Sequence, residues 1–118
     1  MDTHTVGTVH AARYDKLMAA MGDLGAELPG QMQGFMTLHH AAAAEGALDA
    51  KTKELMALAI GIAVHCQGCI TCHVKDSLDA GATRAEIMEV IGVAIMMGGG
   101  PSIVYGAEAH EALEEFLA

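Results

Sequence analysis

Three cysteines and two histidines lie close together in the middle of the chain, and they are, in order, His65, Cys66, Cys69, Cys72 and His73. Cys66 and Cys69 form a C-x-x-C pair. At the start of a helix, residues three apart face the same way, so their sulfurs can form a disulfide. The free N–H groups and partial positive charge of a helix N-terminus favour thiolate over thiol. Because the thiolate is the nucleophilic form of cysteine, this spacing predicts a reactive dithiol.

Glu54 and His73 are the candidate acid–base pair for that dithiol. His73 follows Cys69 by one helical turn on the same face. If one continuous helix joined Glu54 to Cys66, the two residues would be roughly 18 Å apart, too far to act together. If the chain instead reverses near residues 63–65, Glu54 and His73 lie level on adjacent antiparallel helices. The carboxylate would then orient the imidazole as a base beside Cys69.

The spacing of four of these residues matches a known family pattern. The pattern E-x11-C-x2-C-x3-H is formed by Glu54, Cys66, Cys69 and His73. It resembles the alkylhydroperoxidase D-like branch of the carboxymuconolactone decarboxylase superfamily. The segment 79–87, DAGATRAEI, also resembles the A-G-A-T-x-x-E-I turn of that family. The resemblance extends from about Leu48 to the C-terminus.

The resemblance implies an all-helical subunit that assembles as a homotrimer or homohexamer. It also implies thiol-dependent reduction of small hydroperoxides without a bound cofactor, with Cys69 as the attacking thiolate and Cys66 as the resolving thiol. His73 and Glu54 would relay the proton, and an external dithiol, in the family often a lipoyl group, would reduce the disulfide. Some members carry a relay histidine between the cysteines, where this chain has Gly68. The decarboxylases of the superfamily generally lack the cysteine pair, which argues against lactone decarboxylation.

Other interpretations of the cysteines remain open. A general dithiol–disulfide oxidoreductase would use the same residues. A zinc module would use Cys66, Cys69 and His73, although structural zinc usually joins two separated ligand pairs. A ferredoxin-type cluster needs a fourth cysteine, and position 76 is aspartate. In a non-catalytic, oligomeric interaction protein the cysteines would be inert packing residues.

The other residues of the cluster are assigned to structure. Cys72 is rotated by about 300° from Cys69 on a helix, so we expect a core thiol adjacent to the site. His65 is expected to pack against or cap the preceding helix. The histidines outside the cluster have no spacing signal and are expected to be structural or surface residues: His39, His40 and His110.

Composition restricts the fold and the partners. The 118 residues suit one domain spanning residues 1–118. Apolar residues make up 53% of the chain and aromatic residues 3%, and good helix formers dominate, which favours an all-α fold. A mean hydropathy of +0.35 in so short a chain indicates helix faces buried against other copies. The net charge of −9, with no basic stripe, disfavours nucleic acid and anionic membrane surfaces.

No membrane span or secretory signal is predicted. The longest apolar run, Leu55–Val64, is much shorter than the roughly 20 residues that a span needs. The N-terminus lacks the basic start and apolar core of a secretory signal. We therefore expect a cytoplasmic protein, a setting in which closely spaced cysteines serve redox catalysis or metal binding.

Hydrophobic periodicity and capping signals predict six helices that position the site. The first few residues are predicted to be disordered, residues 25–30 to form a loop, and Gly98–Pro101 to form a tight corner. Asp49 is predicted to cap the third helix, and Thr83 and Glu86 to form a capping box before the fifth. The fifth helix is apolar on most sides, so we expect it to be central or at a subunit interface. The helices are predicted to run from about Val9 to Leu24, from after Gly30 to near Gly46, from after Asp49 through Ile62, from Cys69 to Leu78, from after Thr83 to Gly98, and from Pro101 to Leu117.

Overall fold

The computed structural model describes residues 6–118, with side chains from Val9 onward, and in this range the chain forms only α-helices. The all-α prediction is therefore confirmed. The disorder predicted for the first few residues lies outside the described residues. The helices are α1 (Val6–Glu27), α2 (Pro29–Ala43), α3 (Ala50–Ala63), α4 (Gln67–Asp79), α5 (Arg84–Gly98) and α6 (Gly100–Leu117).

The loop predicted for residues 25–30 is wrong. Helix α1 continues through Gly25 and only Leu28 separates it from α2. Pro29 starts the second helix, where its missing N–H costs nothing. A Cβ on Gly25 would lie 3.1 Å from Cγ of Met32, so this glycine lets the two helices approach each other.

Helices α3 and α4 form an antiparallel hairpin at the centre of the fold. Asp49 caps α3 as predicted, since its Oδ1 accepts the N–H of Thr52 at 2.8 Å. The buried stripes of the two helices meet in the core and consist of Leu58, Ile62, Ile70 and Val74. The Asp49 cap therefore sets where α3 begins, and Leu58 and Ile62 set which face of α3 is buried. These residues all precede the dithiol in the chain.

Helices α5 and α6 close the core from the other side. The predicted capping box is present, with the Thr83 N–H donating to Glu86 and the Glu86 N–H donating back to Thr83, at 2.9 and 3.1 Å. The corner predicted at Gly98–Pro101 is confirmed, because α5 ends at Gly98 and α6 begins after Gly99, which has a φ of 71°.

The contact face of α6 combines small residues with Leu113, which is fully buried. Ile103 and Leu117 are exposed, whereas Gly106, Ala109 and Ala112 are buried. A Cβ on Gly106 would lie 3.1 Å from Cγ2 of Ile91, so small residues allow α6 to pack closely on α5.

Helix α1 is attached to the end of α6 by charged groups. The buried carboxylate of Glu115 accepts the backbone N–H groups of His10 and Ala11, each at 2.7 Å. Nε2 of the buried His10 lies 2.7 Å from Oε1 of Glu111. These contacts hold α1 across α4 and α6. No described helix is long and apolar enough to cross a membrane.

Candidate dithiol site

Cys66 and Cys69 are joined as a disulfide at the beginning of α4, with their Cα atoms 5.2 Å apart. Cys66 is the N-cap residue of α4, and its Sγ accepts the backbone N–H of Cys69 at 3.3 Å. Both sulfurs therefore lie at the positive end of a helix dipole, which stabilises a thiolate when the pair is reduced. The predicted placement of the pair is confirmed.

The chain reverses between α3 and α4, as the sequence argument required. His65 has a left-handed φ of 63°, and two backbone hydrogen bonds close the turn. The N–H of His65 donates to the carbonyl of Ile62 at 3.2 Å, and the N–H of Cys66 donates to that of Gly61 at 2.9 Å. This pair of bonds is a Schellman motif, which ends α3 just before Cys66.

Glu54 and His73 meet across the hairpin. Nδ1 of His73 lies 2.8 Å from Oε1 of Glu54, and the two side chains are 20% and 17% exposed. An ionised carboxylate only accepts hydrogen bonds, so Nδ1 carries the hydrogen and Nε2 is left as a proton acceptor. The orienting contact predicted from the sequence is therefore present.

A glycine lets the two helices of the hairpin approach each other at the dithiol. Gly61 is buried on α3, and a Cβ there would lie 3.2 Å from Cβ of Cys69. Glu54 lies two turns earlier on α3, so the same close approach of the helices sets the distance between the side chains of Glu54 and His73.

Asp76 is a third titratable group at the site that the sequence analysis did not select. It lies one turn beyond His73 on α4, so helical spacing alone would have indicated it. Burial raises the pKa of Asp76, and the negative charge of Glu54 raises it further, while His73 lowers it. One possible metal-ligand atom each of Glu54, His73 and Asp76 lies within 4.8 Å of the others, a spacing that a divalent cation could bridge.

Cys72 is a free, half-buried thiol beside the site. Burial raises the pKa of Cys72, and the charge of Asp76 adds to the effect. A thiol with a raised pKa carries little thiolate at neutral pH, which agrees with the predicted packing role. The zinc set considered from the sequence would need the two sulfurs of Cys66 and Cys69, which are bonded to each other here.

The histidines that are expected to be structural or surface residues make packing or surface contacts. The imidazole of His65 stacks on the ring of Tyr105, with ring centroids 4.7 Å apart. His39 lies between Phe35 and His40 on α2, and Nε2 of the exposed His110 lies 3.7 Å from Glu114.

Gly68 lies where α1 crosses the first turn of α4. A Cβ at this position would be 3.0 Å from Cδ2 of Leu17, so a larger residue would displace that side chain. Beside the glycine is an open pocket of about 250 Å³, lined by Arg13, Leu17, Gln67, Gly68 and Thr71. A histidine at this position would therefore require Leu17 to move.

Comparison with known proteins identifies the family. The family model described as the carboxymuconolactone decarboxylase family matches residues 29–112. The chain belongs to the carboxymuconolactone decarboxylase family. This family includes the alkylhydroperoxidase D-like branch whose motif the dithiol site resembles.

Two solved structures of family members have the same fold. A carboxymuconolactone decarboxylase family protein from Legionella pneumophila is 42% identical, with a TM-score of 0.90 over 94% of this chain and 99% of that one. One from Thermotoga maritima is 31% identical, with a TM-score of 0.78 over 86% of this chain and 90% of that one. The description of the Thermotoga protein suggests an involvement in the antioxidative response.

Two curated relatives are similar to most of the chain. An uncharacterised protein from Cupriavidus necator is 35% identical over 97 residues, covering 82% of this chain and 86% of the relative. An uncharacterised protein from the cox locus of Paracoccus denitrificans is 36% identical over 100 residues, covering 85% and 90%. The matches span most of each relative.

Proposed function

We propose that this family member is a thiol-dependent hydroperoxide reductase. Cys69 is the attacking residue, Cys66 resolves the intermediate, and His73 with Glu54 moves the protons. An external dithiol of the lipoyl type then reduces the disulfide. The geometry that supports the proposal is the contact between Glu54 and His73 at 2.8 Å on the helices that hold the dithiol.

The proposed reaction consumes one peroxide and two thiols. His73 takes the proton from Cys69, and the thiolate attacks the terminal oxygen of the hydroperoxide, breaking the O–O bond. The proton passes to the departing alkoxide, which leaves as alcohol, and Cys69 becomes a sulfenic acid. The thiol of Cys66 then attacks the Cys69 sulfur, and its proton leaves with the hydroxyl group as water.

Glu54 contributes by orienting and charging the imidazole. It fixes the tautomer in which Nε2 is unprotonated, and it stabilises the imidazolium that forms when His73 accepts a proton. General-base catalysis of this kind typically contributes about 10²- to 10⁴-fold to a rate. Loss of either partner should therefore slow the reaction without unfolding the protein.

The first test mixes fully reduced protein with cumene hydroperoxide and measures Cys66–Cys69 disulfide by alkylation and mass spectrometry. Wild type should lose two thiols per peroxide consumed. Cys69→Ser should not react, and Cys66→Ser should accumulate a sulfenic acid on Cys69 that dimedone traps. Glu54→Gln and His73→Gln should slow disulfide formation at least about tenfold.

Two variants match these substitutions away from the dithiol. Glu89→Gln on α5 and His39→Gln on α2 make the same chemical changes at other helices and should react at the wild-type rate. If Glu54→Gln and His73→Gln also matched wild type, the relay would be wrong. If the reduced wild type were inert to hydroperoxides, peroxide reduction itself would be wrong.

General dithiol–disulfide exchange is the second candidate. The disulfide at Cys66 and Cys69 supports it directly, and Gly68 supplies no second imidazole for peroxide chemistry. This candidate predicts that lipoamide or glutathione disulfide oxidises the reduced protein faster than hydroperoxides do. Comparing these rate constants on one preparation separates the two functions.

We also infer that the chain is a single domain, that it assembles as a homotrimer or homohexamer, and that it acts in the cytoplasm. The support is the apolar surface that a single chain leaves uncovered. None of the residues of α2 is buried, and the side chains of Phe35 and Leu38 are 56% and 64% exposed. At the end of α5, Met96 and Met97 are 72% and 76% exposed. Light scattering on purified protein measures the subunit number.

A further inference from the structure

The residue before the first cysteine occupies an unusual backbone position. In the described part of the chain, His65 is the one non-glycine residue with a positive φ. It is the left-handed residue of the Schellman motif that ends α3, and the next residue of that motif, Cys66, is also the N-cap of α4. The position of Cys66 is therefore set directly by the conformation of His65.

A second turn of the same kind provides an internal comparison. After α4, Gly81 has a φ of 97°, and the N–H groups of Gly81 and Ala82 donate to Leu78 and Ser77 at 3.0 and 2.9 Å. Glycine is the favoured residue at such a position because it has no Cβ. The turn at the dithiol has a histidine there instead, so a side chain projects from this turn where glycine would have none.

The side chain of His65 attaches the turn to α6. Its imidazole lies on the ring of Tyr105 with an interplanar angle of 9° and centroids 4.7 Å apart. On the other side of Cys66, Nε2 of Gln67 donates to Oε1 of Glu108 at 2.7 Å. Tyr105 and Glu108 are neighbours on one face of α6. Both residues flanking Cys66 are thus anchored to the same helix.

We propose that the His65–Tyr105 stack is a positioning contact that holds Cys66 next to Cys69 and so favours the disulfide over the dithiol. Cys69 lies within the first turn of α4, whereas Cys66 is its N-cap residue, and the turn that holds Cys66 requires His65 to stay in the left-handed conformation. Without the stack, reduced Cys66 samples more positions, and closing the disulfide then costs more conformational entropy. His65 and Tyr105 act through Cys66 and take no part in bond making.

The test equilibrates the protein with mixtures of reduced and oxidised dithiothreitol. One S–S bond breaks in the protein and one forms in the reagent, and two protons pass from reagent thiols to Cys66 and Cys69. Trapping the thiols by alkylation gives the equilibrium constant by mass spectrometry. Tyr105→Leu and His65→Asn should each shift it about fivefold toward the dithiol. Asparagine tolerates the left-handed conformation, so that variant removes the ring alone.

Three further variants separate positioning from general stability. Tyr105→Phe keeps an aromatic face and should retain the wild-type constant. The double variant of His65→Asn with Tyr105→Leu should shift the constant no further than either change alone, because one contact is lost in all three. Gly81→Ala strains the other left-handed turn, so it should lower the melting temperature and leave the constant unchanged.

Constants within twofold of wild type for both His65→Asn and Tyr105→Leu would overturn the proposal, as would a shift toward the disulfide. If Tyr105→Leu did not fold, His65→Asn, on an exposed turn, would decide alone. The proposal rests on the redox role of the dithiol but not on its substrate. The equilibrium is measured without peroxide. The result can therefore still be interpreted if the protein does not reduce peroxides.

Discussion

At the residue scale, the site combines one imidazole with two carboxyl groups of different surroundings. Glu54 contacts His73 directly, whereas Asp76 lies one turn further along α4 and is also partly buried. Partial shielding from water makes these charges interact more strongly than exposed surface pairs do. Asp76 therefore adds a second carboxyl group to the charges around His73.

Asp76 should make stability depend on pH. Burial raises the pKa of its carboxyl above the usual 3.8, so between the two values the folded protein binds more protons than the unfolded chain. The contribution of Asp76 to stability therefore falls as pH rises through this range. Asp76→Asn should stabilise the fold relative to wild type at about pH 7.5 and hardly at all at about pH 3.5.

Urea unfolding of both proteins across this range measures that difference. The gap in the free energy of unfolding should widen as pH increases and then become constant above the raised pKa. A gap of the same size at every pH would show that Asp76→Asn acts by altered packing rather than by charge.

At the scale of elements, the α3–α4 hairpin is the frame of the site. Its turn belongs to both helices, because Cys66 completes the Schellman motif of α3 and caps α4. Gly61 allows the helices to approach at the dithiol, and Asp49 fixes where α3 begins. The distance between Glu54 and His73 is therefore a property of helix packing more than of either side chain.

Widening the hairpin should damage the site. Gly61→Val places a branched side chain where even a Cβ would lie 3.2 Å from Cβ of Cys69, so α3 and α4 must separate. We expect a loss of about 1–3 kcal/mol in the free energy of unfolding and slower disulfide formation. Urea unfolding and the peroxide assay measure the two effects.

Gly92→Ala on α5 is the matched control. A Cβ there meets nothing within 4 Å, so the alanine should stabilise the helix by about 0.5–1 kcal/mol and leave the dithiol unchanged. If Gly61→Val were as harmless as Gly92→Ala, the close approach of the helices would not be what holds the site together.

At the scale of the whole molecule, part of the apolar surface of the chain is not buried in its own core. The core is built from α3, α4, α5 and α6, while α2 lies outside it with no buried residue. Exposed apolar patches on helices are typical of protein–protein contacts. The proposed homo-oligomer would cover them without any change in the subunit fold.

Charges on α2 should therefore disrupt assembly and spare the subunit. Leu38→Glu puts a carboxylate on a side chain that is 64% exposed, so it should reduce the subunit number and leave the helical circular dichroism signal unchanged. Gln33→Glu introduces the same charge at another exposed position of α2 and serves as the control. Light scattering measures the subunit number of both variants. An unchanged subunit number for Leu38→Glu would exclude α2 from the interface.

The sequence by itself determined the helical class, the capping residues Asp49 and Thr83, the corner at Gly98–Pro101 and the members of the central pair, Glu54 and His73. These features follow from local rules, because helical periodicity, caps and motif spacing act within a few residues along the chain.

Only the tertiary structure decided which residues surround that pair. Gly25 resembled a loop residue but permits a helix crossing, and the contact face of α6 includes Gly106, Ala109 and Ala112, while Ile103 is exposed. Glu54 came to lie near Asp76, and Tyr105 came to lie on His65, through the packing of helices. Close approach between distant segments has no local signature in a single sequence, because it depends on which faces the folded helices present to one another.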